Sequence, residues 1–201
     1  MRLYRSKYEE VVYQLAPNTR TLLDVGCRDA VLKKYLPKNI KYLGIDLFLG
    51  SNVSAVCNAE RGLPFPDNSF DVVVALDVLE HTESIWIVFE ELVRLALSQI
   101  IIVLPNSYHW KARLRFLLGK EGDKYRLPPA PVKDRHRWLT SYFTSVNFAN
   151  NMADKFEFNI KKSIMVDEGK NIIREVVARF LSPNLMSTAA LFSFRKKVNH
   201  L

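Results

Sequence analysis

"LLDVGCRDAVLKKYL", residues 22–36, decides how the chain is read. Leu22-Leu23-Asp24-Val25 is a short apolar run of the kind that forms a buried strand, and it stops at Gly26. The spacing then predicts a helix over Ala30–Tyr35. A strand, a glycine turn and a helix in that order open a nucleotide-binding α/β unit, whose turn passes close beneath its ligand. Here the turn is poor in glycine, because Arg28 and Ala30 stand where such loops usually carry two more. Three readings are open: a working cofactor loop, a decayed one, or an ordinary strand-to-helix connection.

The same alternation continues outward. The first strand is expected over Thr21–Val25, and Tyr42–Ile45, Val53–Cys57, Phe70–Ala75 and Gln99–Leu104 are further short apolar runs, most of them rich in β-branched residues. Between the last two, Ile85–Ala96 reads as a helix whose apolar face is Ile85, Ile87, Val88, Leu92, Val93 and Leu95. Strands alternating with helices predict an α/β fold with a doubly wound sheet. After Pro105-Asn106 the character changes. "HWKARLRFLLGK" has helical spacing with basic and apolar residues interleaved, and "EGDKYRLPPAPVKD" is a proline-rich, charged connection. "TSYFTSVNFANNMADKF" reads as a helix capped by Thr140, "FEFNIKKSIMV" as a strand, and the apolar residues from Ile172 to Leu181 as a helix ended by Ser182-Pro183. "STAALFSFRKK" is the last strand. No internal repeat appears, so residues 1–201 are drawn as one domain with an inserted lid at about 107–139.

A chain of 201 residues needs no metal or disulfide staple to hold a core. Cys27 and Cys57 have no metal-ligand spacing and read as reduced, small core residues of an intracellular protein. The first residues lack the apolar centre of a signal peptide, and no apolar run approaches the ~20 residues of a membrane span. The expected location is cytoplasmic. The net charge of +8 is concentrated. Nine lysines and arginines lie between His109 and Arg137, against Glu121, Asp123 and Asp134. This is either a solvated basic loop or a surface for an anionic partner: an acidic or phosphorylated substrate, a lipid headgroup or nucleic acid. Nucleic acid is disfavoured, since no recognised binding module accompanies the charge.

In open α/β sheets ligands bind beyond the carboxyl ends of the strands, at the point where strand order reverses. After the first strand comes Asp24-Val25-Gly26-Cys27-Arg28, and after the second comes Asp46, 20 residues beyond Gly26. That spacing suits a carboxylate accepting the two hydroxyls of a ribose. "CNAERGLPFPDNSFD" and "LDVLEHTES" follow the third and fourth. The sequence here resembles the class I S-adenosylmethionine-dependent methyltransferases of the type 11 group. "LLDVGCRDAVL" resembles their glycine motif, "YLGID" their acidic ribose motif, and "CNAERGLPFPDNSFDVVVALDVLEH" is the most specific match. The resemblance covers about residues 20–106. It implies a Rossmann-like, mostly parallel seven-stranded sheet with a C-terminal antiparallel strand, S-adenosylmethionine as cofactor, and methyl transfer to a small or conjugated acceptor, oxygen being favoured as the accepting atom.

The family's cofactor-binding roles fall on Asp24, Gly26, Cys27 and Arg28 in the first turn, Asp46 and Leu47 at the ribose, Asn58 and Ala59 beside adenine, and Asp77 and Val78 where the cofactor's amino-acid end meets the substrate pocket. Asn58 stands where an aspartate is usual. Arg28 costs on the order of 1 kcal/mol if the turn requires a positive φ, whereas Ala30 adds only a methyl between helix and strand. His81 is the candidate base, since its unperturbed pKa lies near neutrality. Asp77, Glu80 and His81 share a face at helical spacing and form a metal-binding alternative, with His109 or His136 as a further ligand. His109, Arg135, His136 and Trp138 are the candidate substrate residues. Trp110, Leu114, Phe116, Leu117 and Leu118 read as the apolar face of the lid, or of a helix making peripheral membrane contact. Two rivals are a non-catalytic binding module with a degenerate loop and, more remotely, an NAD-dependent oxidoreductase.

Overall fold

The structure, a computed structural model, describes residues 6–120, 135–166 and 181–197. At its centre lies β1 (Thr21–Val25), paired in parallel with β2 (Lys41–Asp46) on one side and β4 (Phe70–Leu76) on the other. The parallel arrangement continues from β2 to β3 (Ala55–Val56) and from β4 to β5 (Ala96–Pro105). Beyond β5 the direction reverses. β7 (Ser187–Lys196) runs antiparallel between β5 and β6 (Phe158–Val166). The order β3-β2-β1-β4-β5-β7-β6 is the seven-stranded, mostly parallel sheet with an antiparallel C-terminal strand that the resemblance implies.

Strand pleating sends alternate residues to opposite faces, and the two faces are covered unequally. Leu23, Val73, Ile100, Ile102 and Phe192 pack beneath α2 (Ile85–Leu95) and α4 (Tyr142–Lys155). Among the described residues, Leu22, Val72, Val74, Ile101 and Leu191 pack with Leu32, Leu36 and Ile40 and with α1 (Lys7–Gln14), through Tyr8 and Val11. α1 was not anticipated, yet Ser6 and Glu9 form a capping box, the S-x-x-E signal of a helix start. Its end is anchored by buried amides. The Gln99 amide donates to the Gln14 carbonyl at 2.7 Å and to Ser193 Oγ at 2.8 Å, and its oxygen accepts from the Ala16 N–H.

Several expected boundaries shift for local reasons. The helix expected over Ala30–Tyr35 is a single 3-10 turn, Val31–Lys34, and Ala30, at φ +51°, is its left-handed N-cap residue and lies outside it. The third strand shortens to two residues. α2 buries Ile85, Val88, Phe89, Leu92 and Leu95, while Ile87 is exposed; Phe89 takes its place, packed on Phe148 and Phe194. Ser141, one residue after Thr140, caps α4, and the Thr140 hydroxyl donates to the Pro105 carbonyl. α3 (Trp110–Leu117) forms in the basic segment with no buried residue, and Phe116 and Leu117 are about four-fifths exposed. The connection 121–134 and most of the helix expected over 172–181 lie outside the described residues. Among those described, no helix is long and apolar enough to cross a membrane.

The loop before β4, the most specific stretch of the sequence match, is held by one guanidinium. Arg94 donates to the Phe65 carbonyl and Asp67 at 2.7 Å, to the Leu63 carbonyl at 3.0 Å, and to both oxygens of Glu91. Glu91 in turn accepts from the Leu63 N–H at 2.6 Å, and the Arg94 bonds hold its carboxyl below the usual range. Because the group is partly exposed, Arg94→Leu should cost about 1–2 kcal/mol. Calorimetry should show Tm falling by about 2–8 °C, with α/β circular dichroism retained.

Candidate functional site

The carboxyl ends of β1, β2 and β4 open into a cleft of about 1430 Å³. This exceeds the roughly 300–1,000 Å³ of a typical single-ligand pocket, so there is room for two ligands side by side. Of the residues singled out from the sequence, Asp24, Gly26, Cys27, Arg28, Asp46, Leu47, Asn58, Ala59, Asp77, Val78, His81, Arg135 and His136 line it. His109 and Trp138 do not. His109 is the N-cap residue of α3, and Trp138 donates its indole N–H to the Thr82 carbonyl at 2.9 Å and stacks edge-on against Trp86. None of the α3 residues lines the cleft either.

The turn after β1 is built from left-handed residues. Gly26 (φ +72°), Arg28 (+49°) and Ala30 (+51°) all have positive φ, so every second residue reverses the chain. Ala30 is therefore constrained by its backbone rather than by the helix packing expected of it. Only at Gly26 is glycine also sterically required, since a Cβ there would lie 2.4 Å from Val78 Cγ2. The turn is fastened to β2 by Asp46. One carboxylate oxygen accepts from the Arg28 N–H at 2.9 Å and the other from the Phe48 N–H at 3.0 Å. Each oxygen keeps capacity for a second donor. Asn58 similarly caps the turn Ala59–Arg61, its amide oxygen accepting from the Glu60 N–H at 2.9 Å.

Two partners in the cleft were not foreseen, and a third contact joins residues that were. Tyr42 Oη donates to Asp24 at 2.7 Å from the neighbouring strand, and Gly44 makes room for that ring, since a Cβ there would meet Tyr42 Oη at 2.8 Å. Lys7, delivered by α1, hydrogen-bonds and ion-pairs with Asp77. Asp77, at φ +56°, ends β4 in another left-handed residue. The third is a chain segment. Arg137 N–H donates to the Glu80 carbonyl at 2.7 Å, and Arg135 O accepts from His81 Nδ1 at 3.0 Å, bringing residues 135–138 against the turn Leu79–His81. His81 and His136 thereby meet edge-on, with ring centroids 4.7 Å apart. Their Nε2 atoms lie 3.8 and 4.0 Å from Oε1 of the buried Glu80. Asp77, turned to Lys7, is outside that group.

The family model described as methionine biosynthesis protein MetW matches residues 5–194. The chain belongs to the MetW family. No curated protein matches it. Among solved structures, the methyltransferase domain of bacterial CtHen1-CN is 16% identical with a TM-score of 0.60, over 94% of this chain and 97% of that one. A SAM-dependent methyltransferase from Archaeoglobus fulgidus is 17% identical with a TM-score of 0.59, over 96% of each chain. A methyltransferase from Thermotoga maritima, described as a possible histamine N-methyltransferase, gives 15% and 0.59, over 94% of this chain and 88% of that one. These likenesses establish the class I methyltransferase fold.

In this MetW-family chain the cleft floor is acidic and partly buried. Burial, with help from Asp24 and Asp46, pushes the Cys27 thiol up to about 11, so it is not a thiolate nucleophile at neutral pH. Burial also pushes the Asp24 carboxyl up to about 7; the Tyr42 hydrogen bond and Lys7 oppose this, and Asp46 adds to it. An unfolded aspartate titrates near 3.8. Between those values the folded chain keeps a proton that the unfolded chain has lost. The stability from protonated Asp24 is therefore complete below about 3.8 and is lost as pH rises through about 7. Asp24→Asn, which keeps an acceptor for Tyr42, should gain in Tm over the parent as pH rises from 5 to 8, as followed by calorimetry. Ala30→Gly should raise stability by about 0.5–1 kcal/mol, the relief of a left-handed alanine less the entropy of glycine; denaturant unfolding gives the value directly.

Proposed function

We propose that this chain binds S-adenosylmethionine in the cleft and transfers its methyl group to an oxygen of a small or conjugated, anionic acceptor. The observation that carries this reading is the pairing of Gly26 with Asp46 at the switch point. The glycine turn admits no Cβ, and the carboxylate beside it is oriented by two backbone N–H groups while keeping capacity for two hydroxyl donors. Asn58 retains a lone pair on its amide oxygen for an adenine amino group. Asp24 and Asp77 suit the cationic ammonium of the cofactor's amino-acid end, and Lys7 suits its carboxylate.

When bound, the cofactor supplies a methyl group already activated on a sulfonium sulfur, so the protein's task is to align the acceptor and exclude water. His81 holds its Nδ1 proton against the Arg135 carbonyl, and Nε2 is then the nitrogen able to take a proton from an acceptor hydroxyl. Arg135, at the cleft wall, supplies charge complementary to an anionic acceptor, while Arg137 beside it is paired with Glu83 at 2.8 Å. The second reading, a binding module with a degenerate loop, draws support from the left-handed Arg28 and Ala30 standing where glycines are usual.

Calorimetry with S-adenosylhomocysteine separates the two. Binding is expected, and none at millimolar ligand would sink the methyltransferase reading. Asp46→Ala should weaken that binding about tenfold or more, through loss of charge-assisted hydrogen bonds; unchanged affinity would remove the ribose assignment.

A further inference from the structure

We infer that Glu80, His81 and His136 form a binding site for a divalent transition-metal ion whose open positions face the acceptor end of the cleft. One candidate donor atom from each residue lies within 4.8 Å of the others, and all three residues line the cleft. Around a tetrahedral ion with ligands at about 2.0–2.2 Å, neighbouring donor atoms stand roughly 3.4 Å apart. The observed 3.8 and 4.0 Å to Glu80 Oε1 need only a few tenths of an ångström of side-chain adjustment.

The protonation pattern points the same way. A carbonyl can only accept, so the 3.0 Å contact with Arg135 O requires the His81 proton to be on Nδ1, leaving Nε2 as the nitrogen that faces Glu80. At metal sites a histidine commonly ligates through one nitrogen while donating the proton of the other to a backbone carbonyl. The two imidazole rings, with centroids 4.7 Å apart, both present Nε2 to the same Oε1 of the buried Glu80, so three donor atoms converge on one point. Two nitrogens and one carboxylate favour zinc, cobalt or manganese over magnesium or calcium, which prefer all-oxygen sets.

The role of the ion rests on the methyl-transfer reading. It would bind the acceptor hydroxyl, lower its pKa and pass its proton to solvent, with His81 holding the ion instead of acting as base. The site itself is independent of that reading. The full chain, stripped with chelator, should bind one equivalent of Co²⁺ and of Zn²⁺ by calorimetry. Bound Co²⁺ should show the visible bands of an ion with nitrogen and oxygen ligands. His81→Gln and His136→Gln should each weaken Co²⁺ binding at least tenfold with far-ultraviolet circular dichroism unchanged. If a variant misfolds, the parent's stoichiometry and spectrum decide alone. Stoichiometry well below one, or equal affinity in the parent and both folded variants, overturns the site and leaves a histidine–carboxylate cluster only. S-adenosylhomocysteine titrated into the same stripped samples separates the two readings. A chain that binds S-adenosylhomocysteine but takes up neither Co²⁺ nor Zn²⁺ overturns the metal site alone, and ion binding without cofactor binding upholds the site while removing methyl transfer.

Discussion

The absence of a Cβ at Gly26 lets two loops from different strands pack on one another. Val78, just after β4, fills the space that any side chain at Gly26 would need. The turn after β1 can then curl over the end of β2 and hang its Arg28 N–H on Asp46, and the Leu79–His81 turn can follow directly behind Val78. Carboxylates, histidines and cleft walls take their positions from that contact. The left-handed backbone at Arg28, Ala30 and Asp77 is the conformational cost of it, on the order of 1 kcal/mol at each.

Strand signals were legible because buried parallel strands depend on local composition. β1 matches its expected limits, and β2, β4 and β5 differ only by extension at their ends. Helix signals were less secure wherever one residue had to choose between faces. In α2 the apolar Ile87 and Phe89 compete, and Phe89 is buried because Phe148 and Phe194 complete an aromatic cluster that only the tertiary fold assembles. The start of the turn after β1 depends on the left-handed φ of Ala30, which no periodicity reports.

The first half of the cleft could be read from spacing, since Gly26, Asp46, Asn58 and Asp77 each follow a strand end. Of the second half, His81, Arg135 and His136 were singled out, but the contacts that assemble it were not. Tyr42 reaches Asp24 across a strand pair, Lys7 comes from a helix with no evident link to the motif, and His136 meets Glu80 only because the 135–138 backbone docks on a turn more than fifty residues earlier. Trp138 lay within the same short run yet serves that docking, through Thr82 and Trp86, without lining the cleft.

The insertion of β7 between β5 and β6 bears on the order of assembly. β6 has no place in the sheet until β7 is present, although it precedes β7 in the chain. The end of α1 is also tied to this region, through Gln99 to Ser193 and through the Arg195 guanidinium to the Gln14 carbonyl. Lys7, which forms one wall of the cleft, is thus carried by a helix whose anchor includes residues near the opposite terminus. During synthesis the nucleoside-binding motifs would emerge early, but their enclosure must await the final strand. A chain stopped short of that strand would carry every motif of the first half and still lack a closed binding site.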